Sequence, residues 1–306
     1  LGASPGQLGE CFAFVTSETW GPVAQADVYM GGEIAHGVPF QIIDDIGSFP
    51  AIPQKCSNLG ANFSSPSAPA AGCNGILGIG PAQTDASANE YYSCSNGTCR
   101  AFSPAANQVV LNPANKVSSD YNGVALTMNS VAASQAVDYG ALTFGIGTEA
   151  NNIPASTVQV FPGNINNGDV ILTKYGVFAI EGYIDSGTNE IAFNDSTIPQ
   201  CAVNNPPNGP WYCPSSPKNA NAVNEGESGT PTNSVNFTVG NASSLIQNGV
   251  YALPELAGPF GTPGGFAGGL FDWGLPFFYG RTVYVGFELE SALINSKNTS
   301  GPFFAY

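Results

Sequence analysis

The chain has 306 residues, of which 43% are hydrophobic and 9% are charged, and 22 acidic against 7 basic residues give a net charge of −15. This length and hydrophobic content can build one large core or two smaller ones, which argues against intrinsic disorder. The shortage of Lys and Arg argues against nucleic acid or an anionic membrane surface as partners, and no apolar run reaches the ~20 residues that span a bilayer.

Short apolar runs rich in Val, Ile, Phe and Tyr, separated by 38 Gly and 24 Pro, predict an all-β fold with a few short helices. A change in composition near Glu149–Ser156 predicts a boundary between residues 1–150 and 151–306. In chain order, the predicted strands are Ala24–Met30, Val38–Ile43, Val124–Met128, Ala141–Ile146, Thr157–Phe161, Val177–Ile184, Ser234–Val239 and Thr282–Phe287, and the predicted helices are Ala105–Val109 and Ala242–Gln247.

The seven cysteines predict disulfides, and therefore an oxidising compartment that is secreted, periplasmic or at the cell surface. The three predicted pairs, each closing a short polar loop, are Cys56 with Cys73, Cys94 with Cys99, and Cys201 with Cys213. Cys11 is left over from these pairs, and we expect its partner to lie upstream of Leu1. The alternative to the three disulfides is a set of scattered free thiols.

A single histidine, His36, limits the chemistry that the chain can perform. Without a second histidine or a Cys-x-x-Cys pair, the sequence lacks the usual ligand pattern of a zinc site. Ser-His-Asp and Cys-His catalysis would both have to use His36, which follows a turn-like Gly31-Gly32 pair. We therefore expect neither a metal nor a cofactor.

One turn has the composition of a catalytic carboxylate site. The stretch GYIDSGTNE, residues 182–190, is an apolar run that ends in Asp185. Ser186 and Thr188 offer hydroxyl groups to the carboxylate, and Gly187 permits a close approach of its backbone N–H. A carboxylate held in this way is suited to general acid–base catalysis. Asp185, Ser186, Gly187 and Thr188 are therefore the predicted catalytic residues.

Other segments resemble the pepsin-like aspartic peptidases. Asn74–Gly80 is similar to the first-lobe motif of that family, with Asn74 in place of an acid, and Leu142–Gly145 is similar to the strand that closes this lobe. Asp272–Phe278 is similar to the matching second-lobe segment, although Trp273–Pro276 departs from the usual residues. The resemblance implies a bilobal β-barrel fold, with residues 1–150 as an incomplete first lobe and 151–306 as the second.

The same resemblance implies a hairpin flap near the start of the chain. Ala26–Val28 and Gly31–Gly32 resemble the strand that leaves the flap, which puts the hairpin tip near Ser17–Gly21. Trp20, with Gly21, would then cover the substrate, where the family typically has a tyrosine.

A closer resemblance is to a bacterial family of exported proteins of unknown function with pepsin-like motifs. Members usually carry an earlier Asp-Thr-Gly-Ser turn, which the resemblance implies lies upstream of Leu1. The similar segments, in order, are Glu10–Cys11, Trp20–Val23, Gly31–Ile34, Gln41–Asp45, Asn74–Gly80, Phe144–Thr148, Asn151–Asn152, Asp185–Gly187 and Trp273–Arg281.

Asp45 is not interpreted as the missing first carboxylate. Its turn follows the flap-like Trp20, whereas in the family the catalytic turn precedes the flap. Ile46 also occupies a position that needs a hydroxyl group. With Asp185 as the one catalytic carboxylate, we expect the chain alone to be inactive or nearly so.

Three functions are consistent with these observations. The first is an exported aspartic-endopeptidase-like hydrolase that acts on a polypeptide. The second is a non-catalytic pepsin-like protein that binds a protein or a polysaccharide. The third is an unrelated all-β surface or adhesion protein.

Overall fold

The computed structural model describes residues 1–4, 6–14, 17–43, 49–57, 61–62, 75–85, 90–164, 171–202, 210–260 and 269–306. Strands dominate these residues, which confirms the all-β prediction. The chain divides into two compact units, Leu1–Tyr121 and Asn122–Tyr306. The pepsin-like lobes expected as residues 1–150 and 151–306 remain a proposal. No helix in the described ranges is long and apolar enough to cross a membrane.

Unit 1 is built on a seven-stranded sheet, and its helices are short. The elements are β1 Gly2–Ala3, β2 Gly6–Ala13, β3 Ser17–Met30, β4 Glu33–Gln41, α1 Gln54–Ser57, β5 Ala61–Asn62, β6 Glu90–Ser95, β7 Thr98–Ala101 and a 3₁₀-helix over Pro113–Lys116. The central order of the sheet is β4-β3-β2-β6-β7, with β1 added beside β2 and β5 beside β3.

The predicted pairing of Cys56 with Cys73 is wrong, because Cys56 is bonded to Cys11. Helix α1 carries Cys56 to strand β2, where both sulfur atoms join a buried cluster with Trp20 and Tyr92. Tertiary packing, rather than nearness in sequence, therefore selects the partner. The expectation that Cys11 pairs upstream of Leu1 is wrong for the same reason, and Cys73 lies outside the described residues.

The other two predicted disulfides are confirmed. Cys94 and Cys99 face each other across the β6–β7 hairpin, and Cys201 is bonded to Cys213 in unit 2. Three disulfides indicate that the chain folds in an oxidising environment.

Unit 2 is made of two sheets, a hairpin and two short helices. Its elements are β8 Gly123–Met128, β9 Gly140–Phe144, β10 Val160–Pro162, β11 Ile171–Tyr175, β12 Phe178–Ile184, β13 Ile191–Ala192, β14 Lys218–Glu225, β15 Thr232–Val239, α2 Ala242–Leu245, β16 Ala257–Gly258, β17 Leu270–Trp273, α3 Leu275–Phe278, β18 Thr282–Gly286, β19 Ser291–Ile294, β20 Lys297–Ser300 and β21 Phe303–Ala305. The five-stranded sheet has the order β10-β21-β18-β8-β9, the seven-stranded sheet has the order β15-β14-β11-β12-β17-β13-β16, and β19 and β20 form the hairpin.

Strand β17 lies between β12 and β13, although those two strands are consecutive in the chain. It runs parallel to β12, with Asp272 opposite Tyr183, and antiparallel to β13, with Asp272 opposite Ala192. The six residues that connect β12 to β13, residues 185–190, therefore pass over the end of β17. This crossing brings the Asp185 turn next to β17.

An aromatic core holds β17 in place. Phe271 stacks on Phe193 with ring centroids 5.2 Å apart, and Trp273 contacts Phe271 and Phe277 at 4.5 and 5.1 Å. The Trp273 indole is fully buried, and its N–H donates to the side chain of Asn224 at 2.7 Å. Successive side chains of a strand alternate between faces, so Asp272 points away from this core.

Candidate functional site

The carboxylate of Asp185 is held by its own turn at the end of β12. Its Oδ1 accepts a hydrogen bond from the backbone N–H of Gly187 at 2.7 Å, and its Oδ2 lies 3.1 Å from the Thr188 hydroxyl. The Asp185 N–H donates to the carbonyl of Trp273 at 3.1 Å. Strand β12 thus ends in an oriented carboxylate whose side chain remains exposed.

The other residues of the turn contribute unequally. Thr188 and Gly187 both donate to Asp185, in agreement with the chemistry expected from their sequence. A Cβ atom on Gly187 would lie 3.0 Å from Asp185 Oδ1, so a glycine suits this close approach. The Ser186 hydroxyl, by contrast, makes no hydrogen bond within the described part of the chain.

Asp272 is a site residue that sequence reasoning missed. The sequence indicates it only as the first residue of a pepsin-like segment, but it lies inside β17 and only 6% of its surface is exposed. Its Oδ2 lies 2.9 Å from the Thr188 hydroxyl. The available sequence signal was its position between two large aromatic residues, Phe271 and Trp273, which is unusual for a solvated acid.

The environment of Asp272 opposes its ionisation. Burial is the largest cause that raises the pKa of this carboxyl well above its usual range, and the negative charges of Asp185 and Glu190 add to the effect. The hydrogen bond from Thr188 works in the opposite direction. The buried site therefore favours the neutral, protonated form of Asp272 over its charged form.

Glu190, at the other end of the turn, is a third acid of this site. Burial raises its pKa to about 7, and a hydrogen bond from its own backbone N–H partly opposes that shift. Three carboxyl groups with different environments, those of Asp185, Glu190 and Asp272, thus occur around one short connection. No group of three or more His, Cys, Asp or Glu residues in the described ranges is arranged to hold a metal ion.

The predicted flap residues lie in a strand interior. Trp20 and Gly21 belong to β3 and pair with Cys11 and Glu10 of β2. The Trp20 indole is 5% exposed and donates its N–H to the carbonyl of Pro50 at 2.9 Å. In this conformation Trp20 fills the core of unit 1, and its role over a substrate stays a prediction.

The apolar residues in the described part of the Asn74–Gly80 motif are largely exposed rather than packed in a core. Ile76 and Leu77 are 54% and 41% exposed. A Cβ atom on Gly75, Gly78 or Gly80 would meet no other atom within 4 Å, so these glycines are not needed for close packing. Asn74 itself and Asp45 lie outside the described residues.

Unit 1 contains a second cluster of acids that the sequence did not reveal. Glu10 is 1% exposed, and the hydroxyl of Tyr91 lies 3.2 Å from Glu10 Oε1 and 2.5 Å from Asp85 Oδ1. Burial, followed by the neighbouring Asp85, raises the pKa of Glu10 to about 10. Glu10 is therefore also a neutral acid at pH 7.

A family model described as "Protein of unknown function (DUF3443)" matches residues 1–306. The chain belongs to this family. A comparison with curated proteins found no match. Membership in this family covers the entire sequence, but its description assigns no activity.

Proposed function

We propose that this protein is an exported, aspartic-endopeptidase-like hydrolase in which Asp185 supplies one of the two carboxylates that act on a peptide bond. The observation that carries the proposal is the Asp185 carboxylate itself, exposed at the end of β12 and fixed by Gly187 and Thr188. An oriented, accessible carboxylate is what general acid–base catalysis requires. The substrate would be a polypeptide, and no cofactor takes part.

In this mechanism two carboxyl groups share one proton, because two like charges at short range cannot both ionise. One carboxylate activates a water molecule, and the other group protonates the carbonyl oxygen of the peptide. The pair titrates as a unit. Asp272 does not serve as the second group, because it is buried behind the turn and cannot contact a peptide. We therefore propose that the 306-residue chain is inactive on its own.

The disulfides support an exported location, which we propose to be secreted, periplasmic or at the cell surface. The similarity of Asp185–Thr188 and of Asp272–Phe278 to pepsin-like segments supports a pepsin-like arrangement of the chain. A fold alone does not establish an activity, so the proposal depends on the Asp185 turn.

The deciding experiment compares this chain with the full product of its gene. The gene upstream of the Leu1 codon is sequenced for an apolar strand that ends in Asp-Thr/Ser-Gly, and both proteins are assayed with a peptide library between pH 3 and 6. We expect cleavage by the full product only, with a loss of at least about 100-fold in Asp185→Asn and retention of activity in Thr188→Ser. Cleavage that survives Asp185→Asn, or a full product without any cleavage, would overturn the proposal.

A second candidate is a non-catalytic pepsin-like protein that binds a protein or a polysaccharide. It is favoured by the burial of Asp272, because the carboxyl group that shares the Thr188 hydroxyl with Asp185 cannot contact a peptide. This function predicts that the full gene product retains a polypeptide or polysaccharide intact after prolonged incubation. It also predicts that Asp185→Asn does not change the cleavage of any peptide in the library.

A further inference from the structure

The hydroxyl of Thr188 lies between two carboxyl groups. Its Oγ1 is 3.1 Å from Asp185 Oδ2 and 2.9 Å from Asp272 Oδ2, both of which are hydrogen-bond distances. A hydroxyl group carries one hydrogen and can donate to one of the two oxygens, although it can accept at the same time. A second hydrogen is therefore needed for both contacts to be favourable, and it must come from a carboxyl group.

Asp272 is the acid that can hold this hydrogen. It is nine-tenths buried, and its Oδ1 has no hydrogen-bond partner within the described ranges. The ionisable groups around it are Asp185, Glu190 and Tyr183, and none of them supplies a positive charge. Two ion pairs of the described residues, His36 with Asp27 and Lys174 with Glu225, do not involve Asp272.

Asp185 is the carboxyl group that can receive the hydrogen of Thr188. Its side chain is exposed, so water can solvate a negative charge there, whereas the Asp272 side chain is buried. Its other oxygen already accepts a hydrogen bond from the Gly187 N–H. Hydrogen-bond donors therefore converge on Asp185. Donation runs from Asp272 to Thr188 and from Thr188 to Asp185.

We propose that Asp272 is a positioning residue that stores a proton: its carboxyl O–H donates to Thr188 Oγ1, and the Thr188 hydroxyl is thereby directed to donate to Asp185 Oδ2. No bond forms or breaks in this arrangement, and one carboxyl proton accounts for both hydrogen bonds. When Asp272 loses that proton, two carboxylates compete for the single hydrogen of Thr188. The hold on Asp185 then weakens, so the turn is ordered by acidic conditions.

The proton on Asp272 regulates the proposed catalytic turn, and its significance for catalysis rests on the proposed function. The location of the proton is a separate property, which spectroscopy measures without any cleavage assay. An absence of peptidase activity would not contradict the proton on Asp272. A negative spectroscopic result would not contradict the peptidase activity, which the cleavage assay tests.

The first test is infrared spectroscopy at pH 6 on the chain and on Asp272→Asn. We expect the variant to lose one carbonyl band of a protonated carboxyl group. Asp195→Asn is the matched control, because burial raises the pKa of Asp195 but hydrogen bonds, including those from Thr197 and Tyr175, outweigh it and keep the pKa below its usual value. This control should lose no such band. A protonated band that persists unchanged in Asp272→Asn would overturn the proposal.

The second test does not depend on the stability of Asp272→Asn. Protein labelled with ¹³C at the aspartate carboxyl carbons is titrated by NMR, and the Asp185 signal is assigned from its loss in Asp185→Asn. We expect the Asp185 signal in the unaltered chain to shift a second time as Asp272 ionises. Thr188→Val should leave only the small part of the second shift that the Asp272 charge causes through space, whereas Thr188→Ser should keep it in full. A single shift in the unaltered chain, or a second shift of full size in Thr188→Val, would contradict the proposed chain of hydrogen bonds.

Discussion

Trp273 belongs to the aromatic core and also fixes the position of the candidate site. Its backbone carbonyl accepts the N–H of Asp185, and its indole N–H donates to Asn224 at 2.7 Å and lies 3.2 Å from the Thr173 hydroxyl. Thr173 in turn donates to the same Asn224 oxygen at 2.8 Å. Because all three side chains are buried or nearly so, a lost donor would not be replaced by water.

We predict that Trp273→Phe lowers the free energy of unfolding by about 2–4 kcal/mol, since it removes the indole donor and leaves unfilled volume in the core. Urea unfolding measures this change. Trp211→Phe is the control, because the buried Trp211 N–H has no hydrogen-bond partner in the described structure, and its removal should have a much smaller effect. Equal losses in the two variants would show that the Asn224 hydrogen bond contributes little.

At the scale of elements, the end of β17 fits tightly beneath the 185–190 connection. A Cβ atom on Gly274 would lie 2.0 Å from the carbonyl oxygen of Glu190 and 2.7 Å from that of Thr188, closer than any side chain can approach backbone. The N–H of Leu275 also donates to the Thr188 carbonyl at 2.7 Å. The connection can keep its position only if residue 274 has no side chain.

We predict that Gly274→Ala displaces the connection and weakens both hydrogen bonds to the Asp185 carboxylate. The NMR signals of Gly187 N–H and of the Asp185 carboxyl carbon should shift, and the melting temperature should fall. Gly78→Ala is the matched substitution, because a Cβ atom there would meet nothing within 4 Å, and it should change neither quantity. An unperturbed Gly187 signal in Gly274→Ala would contradict the tight fit.

The sequence predicted some elements closely and missed others, and the reason is visible in their residues. The apolar runs of β8, β12 and β18 gave strand predictions that differ from the observed bounds by about one residue. Strand β14 was missed because Asn and Lys make up half of it, and these side chains do not indicate a strand. The segment forms a strand because it pairs with both β11 and β15. The predicted helix over Ala105–Val109 is wrong, since these residues form only a turn.

The candidate site was predicted in part for a similar reason. Asp185, Gly187 and Thr188 are close in sequence, so their hydrogen bonds could be anticipated from local turn chemistry. Asp272 lies 84 residues from Thr188 along the chain, and their contact depends on where β17 enters the sheet. A single sequence contains no local signal for such an insertion.

At the scale of the whole molecule, several buried acids make stability depend on pH. The pKa of Glu10 is raised to about 10, that of Glu190 to about 7, and that of Asp272 well above its usual range. These acids have pKa values of about 4 in the unfolded chain, so above that pH the unfolded chain releases protons that the folded chain keeps, and the free energy of unfolding falls as pH rises. Asp27 and Asp195 have lowered pKa values and remove stability only below that range.

We predict a melting temperature that is highest near pH 4–5 and decreases towards pH 8. Calorimetry between pH 3 and 8 at high salt measures it, because salt screens the repulsion of the −15 net charge far more than it screens buried groups. Glu10→Gln, which is neutral at every pH, should flatten the decrease, whereas the exposed Glu227→Gln should not. A melting temperature that rises from pH 5 to 8 would refute the prediction.

The insertion of β17 between β12 and β13 also constrains the order in which the chain can fold during synthesis. The ribosome releases residues 185–192 well before residues 270–273, so β12 and β13 emerge without the strand that separates them. The pairing of β17 with both neighbours then closes a loop of about 80 residues, and such long-range strand contacts form late. The Asp185 turn therefore reaches its final geometry only after residues 270–273 have been synthesised, so a shorter nascent chain carries the Asp185 carboxylate without its assembled surroundings.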